Sequence, residues 1–153
     1  MGKNKRGKIP PTATSRDGGK RDIPIQEQES SNDKKPSWRF GRFDAECVDW
    51  GMATMKANLE KVLNGLKSYE DITWQEIVTM RHDKGGRTKN HSVELERLTK
   101  EAIKRLKQIK NDDIEEVFSL RFNNLFRVIG IRDGAVLYIL WIDPNHKVCK
   151  TSH

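Results

Sequence analysis

Apolar positions in this chain change their period several times, and each change marks an element. From Trp38 to Phe43 large aromatic residues alternate with Arg and Gly, a period of two that predicts a first β-strand. Met52, Met55, Leu59, Val62, Leu63 and Leu66 then recur at spacings of three and four, which predicts a helix with one apolar stripe and a last turn weakened by Gly65. Thr73-Trp74-Gln75-Glu76 has the form of a capping box, so a short helix through Ile77 and Met80 is expected. Leu95, Leu98, Ala102, Ile103, Leu106 and Ile109 form another stripe, with Thr99 placed to cap its helix.

The last third returns to alternation. Val117 to Phe122 sets Phe118, Leu120 and Phe122 on one face and Ser119 and Arg121 on the other, as a strand requires. Asn123-Asn124 predicts a tight turn, and Leu125 to Arg132 the next strand. Asp133-Gly134 predicts a two-residue hairpin of type I′. Ala135 to Asp143 completes a three-stranded antiparallel meander before Pro144 breaks it. Strands joined by tight turns are antiparallel, and the helices need a sheet face to cover. The expected class is therefore α+β, as a two-layer sandwich.

Residues 1–36 break the pattern. They contain no aromatic residue and carry nine Lys/Arg against five Asp/Glu, so this stretch supplies +4 of the chain's net +7. Such a segment buries too little to offset its ordering entropy. A disordered basic tail over 1–36 and a folded domain over 37–150 are expected. The tail reads as a solvating segment or as a nonspecific RNA tether.

The domain is long enough for a core without metal or disulfide. Cys47 and Cys149 form no CxxC pair and read as reduced thiols. No apolar run approaches the roughly 20 residues of a membrane span, and no apolar stretch follows the basic N-terminus, so the cytoplasm is expected. His82, His91, His146 and His153 form no metal-ligand spacing. No Gly-rich phosphate loop or GxSxG elbow occurs, so neither metal nor cofactor is expected.

Positive clusters carry the candidate chemistry. Residues 81–91 gather Arg81, His82, Lys84, Arg87, Lys89 and His91 around one acid, Asp83. This is either a solvated loop or a set of phosphate ligands with histidines able to exchange protons. Lys100, Lys104 and Lys107 fall within about 60° on the helix surface, as a solvated face or an RNA groove. Arg121 and Arg127 stand in otherwise apolar strands. Asp143-Pro144-Asn145-His146 reads either as an Asx-Pro turn or as an Asp that orients an imidazole. Among the histidines, His146 ranks first as acid or base and His91 second.

Several of these segments together resemble a group of uncharacterised bacterial proteins. The shared ending is an SLR strand, Ser119-Leu120-Arg121, an RxxG strand, Arg127-Val128-Ile129-Gly130, and a WxDPxH strand, Trp141 to His146. Thr73-Trp74-Gln75-Glu76-Ile77 and Asn90-His91 match two further motifs of that group. The group in turn resembles the RelE/ParE toxin superfamily, in which a strand and helices precede an antiparallel meander bearing an Arg. That resemblance implies a metal-free endoribonuclease, a hydrolase acting on mRNA, free or at the ribosome, and held by an antitoxin. Arg121 and Arg127 would then bind the scissile phosphate, His146 and His91 would move protons, and Asp143 would orient His146. Arg81, Lys84, Arg87, Lys89, Lys100, Lys104 and Lys107 would hold the RNA backbone. The chain departs from the toxins in its longer helical region and in its Asp-Pro-Asn-His ending. The alternative is a module that binds RNA or protein without cutting.

Overall fold

The computed structural model describes residues 30–82, 86–111 and 113–150. Its element order is β1 (Ser37–Arg39), α1 (Met52–Ala57), α2 (Leu59–Tyr69), α3 (Trp74–Thr79), β2 (His91–Glu94), α4 (Lys100–Gln108), β3 (Glu116–Arg121), β4 (Arg127–Asp133) and β5 (Val136–Asp143). A 3-10 turn, Leu95–Arg97, joins β2 to α4. The strands form one mixed sheet in the order β1-β5-β4-β3-β2. β1 runs parallel to β5, whereas β2–β3, β3–β4 and β4–β5 are antiparallel. The class is α+β, and among the described residues no helix is long and apolar enough to cross a membrane.

Helices cover both faces of the sheet, which corrects the expected two-layer arrangement. Phe118, Leu120, Val128, Leu137, Ile139 and Ile142 pack with Val62, Leu66 and Tyr69 of α2 and Trp74 and Ile77 of α3. The alternate strand positions Val117, Ile129 and Ile131 pack with Leu98, Ala102 and Leu106. Strands β3, β4 and β5 therefore have no solvent face, and Ser119 and Arg127 on them are buried. A register shift at Ile129/Gly130 leaves both Leu140 and Trp141 in the α4-side cluster, as a bulge does when it adds a residue to one strand.

Local signals explain the helices. Thr73 Oγ1 accepts from the Glu76 amide at 3.2 Å, and the Glu76 carboxylate accepts from the Thr73 amide at 3.0 Å, closing the capping box. Thr99 accepts from the Ala102 amide and caps α4. The expected long helix over Met52–Leu66 is instead two, separated at Asn58. Only Val62 and Leu66 of its stripe are buried, while Met52, Leu59 and Leu63 remain exposed. Gly65 is required by close approach, because a Cβ there would lie 2.3 Å from the Phe122 ring.

Three boundaries also move. The first strand covers Ser37–Arg39 rather than Trp38–Phe43. Upstream of it, Asn32 and Lys34 accept through their carbonyls from the Gln75 and Trp74 amides, so residues 32–34 cap α3 from outside. The β4–β5 turn centres on Gly134-Ala135, since Asp133 pairs with Val136. Positive φ occurs at Gly134 (+65°) and not at Asp133, which places Gly at the first central position, as a type II′ turn needs, rather than type I′.

Arg105 and Asp44 tie α4 to the sheet. The guanidinium donates Nε and Nη2 to the two carboxylate oxygens at 2.7 and 2.6 Å, and Trp141 Nε1 adds a third bond at 2.9 Å. Burial raises the Asp44 pKa, but the Arg105 and Trp141 hydrogen bonds outweigh it and leave the carboxyl below its ordinary value.

Candidate active site

The site grows from one end of the sheet, where four strands bring polar residues into line. His91 of β2 pairs with Ser119 of β3, Arg121 of β3 pairs with Arg127 of β4, and Arg127 pairs with Asp143 of β5. Ser119 and Arg127 share strand parity with Val117 and Ile129, so they look toward the α4 side, beyond the end of its apolar cluster. There a pocket of about 690 Å³ is lined by Arg81, Arg87, Lys89, Arg121, Arg127 and Lys150, with His82, His91 and His146 among them. Arg97, Ser119 and Cys149 also line it, and among the described residues no Asp or Glu does. Its volume lies within the roughly 300–1,000 Å³ usual for ligand sites.

The turn after β5 places His146. Asp143 is fully buried, and its oxygens accept from the amides of Lys147 and Val148, each at 2.9 Å. His146 lies inside that loop at φ +55°, a left-handed conformation that is uncommon away from glycine. Asp143 therefore positions His146 through the backbone of the turn and not through the ring, which corrects the expected Asp–imidazole hydrogen bond. Burial raises the Asp143 pKa, while the two amides, His146 and Arg127 act to lower it. His146 itself is held below the ordinary imidazole value by desolvation first and by the Arg127 charge second, against the pull of Asp143.

His91 sits at the rim, exposed on the outer strand. Desolvation by the surrounding protein lowers its pKa, a backbone hydrogen bond at Thr88 opposes this, and Arg127, Arg97 and Arg87 lower it further. Both imidazoles are thus biased toward their neutral form, which is the form that accepts a proton.

The two strand arginines differ. Arg127 is 7% exposed, and its Nη1 donates to the carbonyls of Asn123, Asn124 and Phe126 at 3.1, 3.1 and 3.4 Å. Burial, then Arg121, lowers its pKa. Arg121 is half-buried. Its Nε donates to the Asn123 carbonyl at 3.0 Å and its Nη1 lies 2.8 Å from His82 Nε2. A guanidinium has only donors, so that ring nitrogen accepts.

Side chains from elsewhere clamp the Arg121 backbone. Asn90 Oδ1 accepts from its amide at 2.7 Å, and Tyr69 Oη donates to its carbonyl at 2.5 Å. Asn90 is buried and also donates to the Ile77 carbonyl at 3.1 Å. It therefore links the α2–α3 layer to the end of β3.

The structure brings His146, Arg121, Arg127, His91, Arg81, Arg87 and Lys89 to one pocket, with Asp143 beneath the turn. Lys84 lies outside the described residues. Lys100, Lys104 and Lys107 are exposed on α4 and do not line this pocket, so the expected groove along that helix is not part of it. Sequence reading left out Arg97, Ser119, Cys149, Lys150, Asn90 and Tyr69. Asn90 and Ser119 carried a signal, as members of the Asn90-His91 and Ser119-Leu120-Arg121 segments.

Cys149 is a buried thiol pushed up to about 11 by desolvation and by Asp143. It is protonated at neutral pH, which removes it as a nucleophile. Compared with known proteins, the chain matches no family model, no curated protein and no solved structure.

Proposed function

We propose that this chain is a metal-free endoribonuclease of toxin type that acts on mRNA, including mRNA held by the ribosome. One observation carries the reading. Two imidazoles biased toward neutrality share a pocket with Arg121 and Arg127, and no described Asp or Glu lines it.

In that site the phosphodiester would lie against Arg121, whose charge offsets the negative charge that builds on the phosphorane. One imidazole takes the proton of the 2′-hydroxyl as its oxygen bonds to phosphorus. The bond from phosphorus to the 5′-oxygen breaks, and the other imidazole, protonated as the anionic substrate raises its pKa, gives a proton to that oxygen. The products are a 2′,3′-cyclic phosphate and a 5′-hydroxyl. Asp143 holds the turn that carries His146 throughout.

The element order and the SLR, RxxG and DPxH segments support a RelE-like assignment, with helices on both sheet faces as the departure. A protein of this kind would work in the cytoplasm with an antitoxin that covers the pocket.

A non-catalytic RNA- or protein-binding module of the same fold is favoured by one observation. Arg127 commits Nη1 to three carbonyls, which suits a residue that braces the β3–β4 turn. Adding the purified chain to a translation extract and mapping 3′ ends separates the two readings. Cyclic-phosphate ends that vanish with His146→Ala support the enzyme. Ribosome or RNA binding with unchanged ends supports the module.

A further inference from the structure

Three cations at the pocket rim are unused by the chemistry above: Lys89, Arg97 and Lys150. They sit at the two ends of β2, one of the two edge strands of the sheet among the described residues. Lys89 precedes β2 and is fixed by its amide, which donates to the Met80 carbonyl at 2.8 Å. Arg97 follows β2 in the 3-10 turn. Lys150 comes from the far end of the chain and is brought beside Arg97 by backbone pairing: the Lys150 amide donates to the Arg97 carbonyl at 2.9 Å, and Leu98 bridges Cys149.

Charge balance at these ends is poor. Among the described residues, neither Arg97 nor Lys89 has a side-chain hydrogen bond or ion pair, and Lys150 Nζ has only the Glu96 carbonyl at 3.1 Å. The carboxylates of this stretch, Glu94 and Glu96, are exposed and do not line the pocket. Gathering like charges without counter-charges favours an anionic ligand. The four residues of β2 span roughly 13 Å at about 3.3 Å each, so a single phosphate cannot reach both ends.

We propose that the outer edge of β2 is a track for an RNA strand, with one phosphate at Arg121 and His91 and flanking phosphates held by Lys89 on one side and by the Arg97–Lys150 pair on the other. This rests on the nuclease reading of the same pocket and adds its subsites. The ligand is thus a strand of at least three phosphates, gripped through its backbone with little regard for base.

Fluorescence anisotropy with labelled oligouridylates of one, two, four and eight nucleotides tests it, in a His146→Ala background that keeps the RNA intact. Affinity should climb with length from one nucleotide to four. The pair Arg97→Gln/Lys150→Gln should weaken octanucleotide binding by about tenfold, spare the dinucleotide and flatten the salt dependence by about 0.7 per cation removed. Circular dichroism confirms that the variant folds. Length-independent binding, or an unchanged salt slope in the double variant, overturns the track and leaves the nuclease reading standing. Failure of every length to bind overturns both.

Discussion

Arg121 and Arg127 are direct cross-strand partners in the β3–β4 ladder, and both donate to the Asn123 carbonyl, at 3.0 and 3.1 Å. Like charges placed opposite each other destabilise a sheet. Here the shared carbonyl and the Asp143 charge beside Arg127 offset part of that repulsion. The remaining positive field points into the pocket. Replacing Arg121 with Ala should lower cleavage by roughly 10²–10³-fold, the usual cost of losing one donor to a developing oxyanion. Arg121→Lys should restore little, because a point charge cannot reach His82 and Asn123 together. Single-turnover rates on one RNA check both, with circular dichroism to confirm that each variant folds.

The clamp on the Arg121 backbone gives a second prediction. Tyr69→Phe removes only the hydroxyl that bonds the Arg121 carbonyl and should cost about 1–2 kcal/mol. Asn90→Ala orphans the Arg121 amide and the Ile77 carbonyl together, so it should cost more, about 2–3 kcal/mol. Urea denaturation reads both. Equal stability to the parent in each would show that the clamp holds nothing.

His146 separates conformation from chemistry. Its left-handed backbone costs an L-residue about 1 kcal/mol that glycine avoids. His146→Gly should therefore be at least as stable as the parent and more stable than His146→Ala, yet both should be inactive. Thermal melts alongside cleavage assays check this. A glycine variant that retains cleavage would remove His146 from the reaction.

Cys149 predicts a stability change at alkaline pH. Its folded-state pKa is raised to about 11 from 9.0, so its contribution is intact below pH 9 and is lost as pH rises toward 11. The loss amounts to about 2–3 kcal/mol. Cys149→Ser should flatten that fall relative to the parent in denaturation series at pH 8, 9, 10 and 11.

The histidines act in the opposite direction. Both folded pKa values are lowered, so the unfolded chain binds protons more readily as pH falls through 6.5, and stability declines there. For the same reason the acid limb of kcat/KM should lie below the ordinary imidazole value. A pH–rate profile whose acid limb sits above 6.5 would mean that another group sets it.

How far the fold could be read from the sequence depended on range. The Thr73/Glu76 capping box and the Thr99 cap were legible because each is built within four residues. The strand His91–Glu94 was not, since its four residues bury only Val93. As an outer strand it carries almost no alternation, and it read as the end of a polar loop. Ser119 and Arg121 fell on the polar face of an alternating strand, which by itself suits either water or a site. They line a pocket beside a second core, a distinction that needs the position of α4. The parallel pairing of β1 with β5 and the meeting of Arg97 with Lys150 are long-range events with no local pattern. His146 was legible as a candidate from the Asp-Pro turn, but the role of Asp143 as a backbone anchor required the loop itself.

The proposed function places RNA cleavage in the pocket of Arg121, His91 and His146. Induced expression in a bacterial host tests it most directly, with growth and mRNA 5′ ends followed together for the parent, Arg121→Ala and His146→Ala. Growth arrest and new mRNA ends are expected with the parent, and neither with the two variants at matched soluble levels. Normal growth with unchanged RNA ends at high soluble expression of the parent would contradict it.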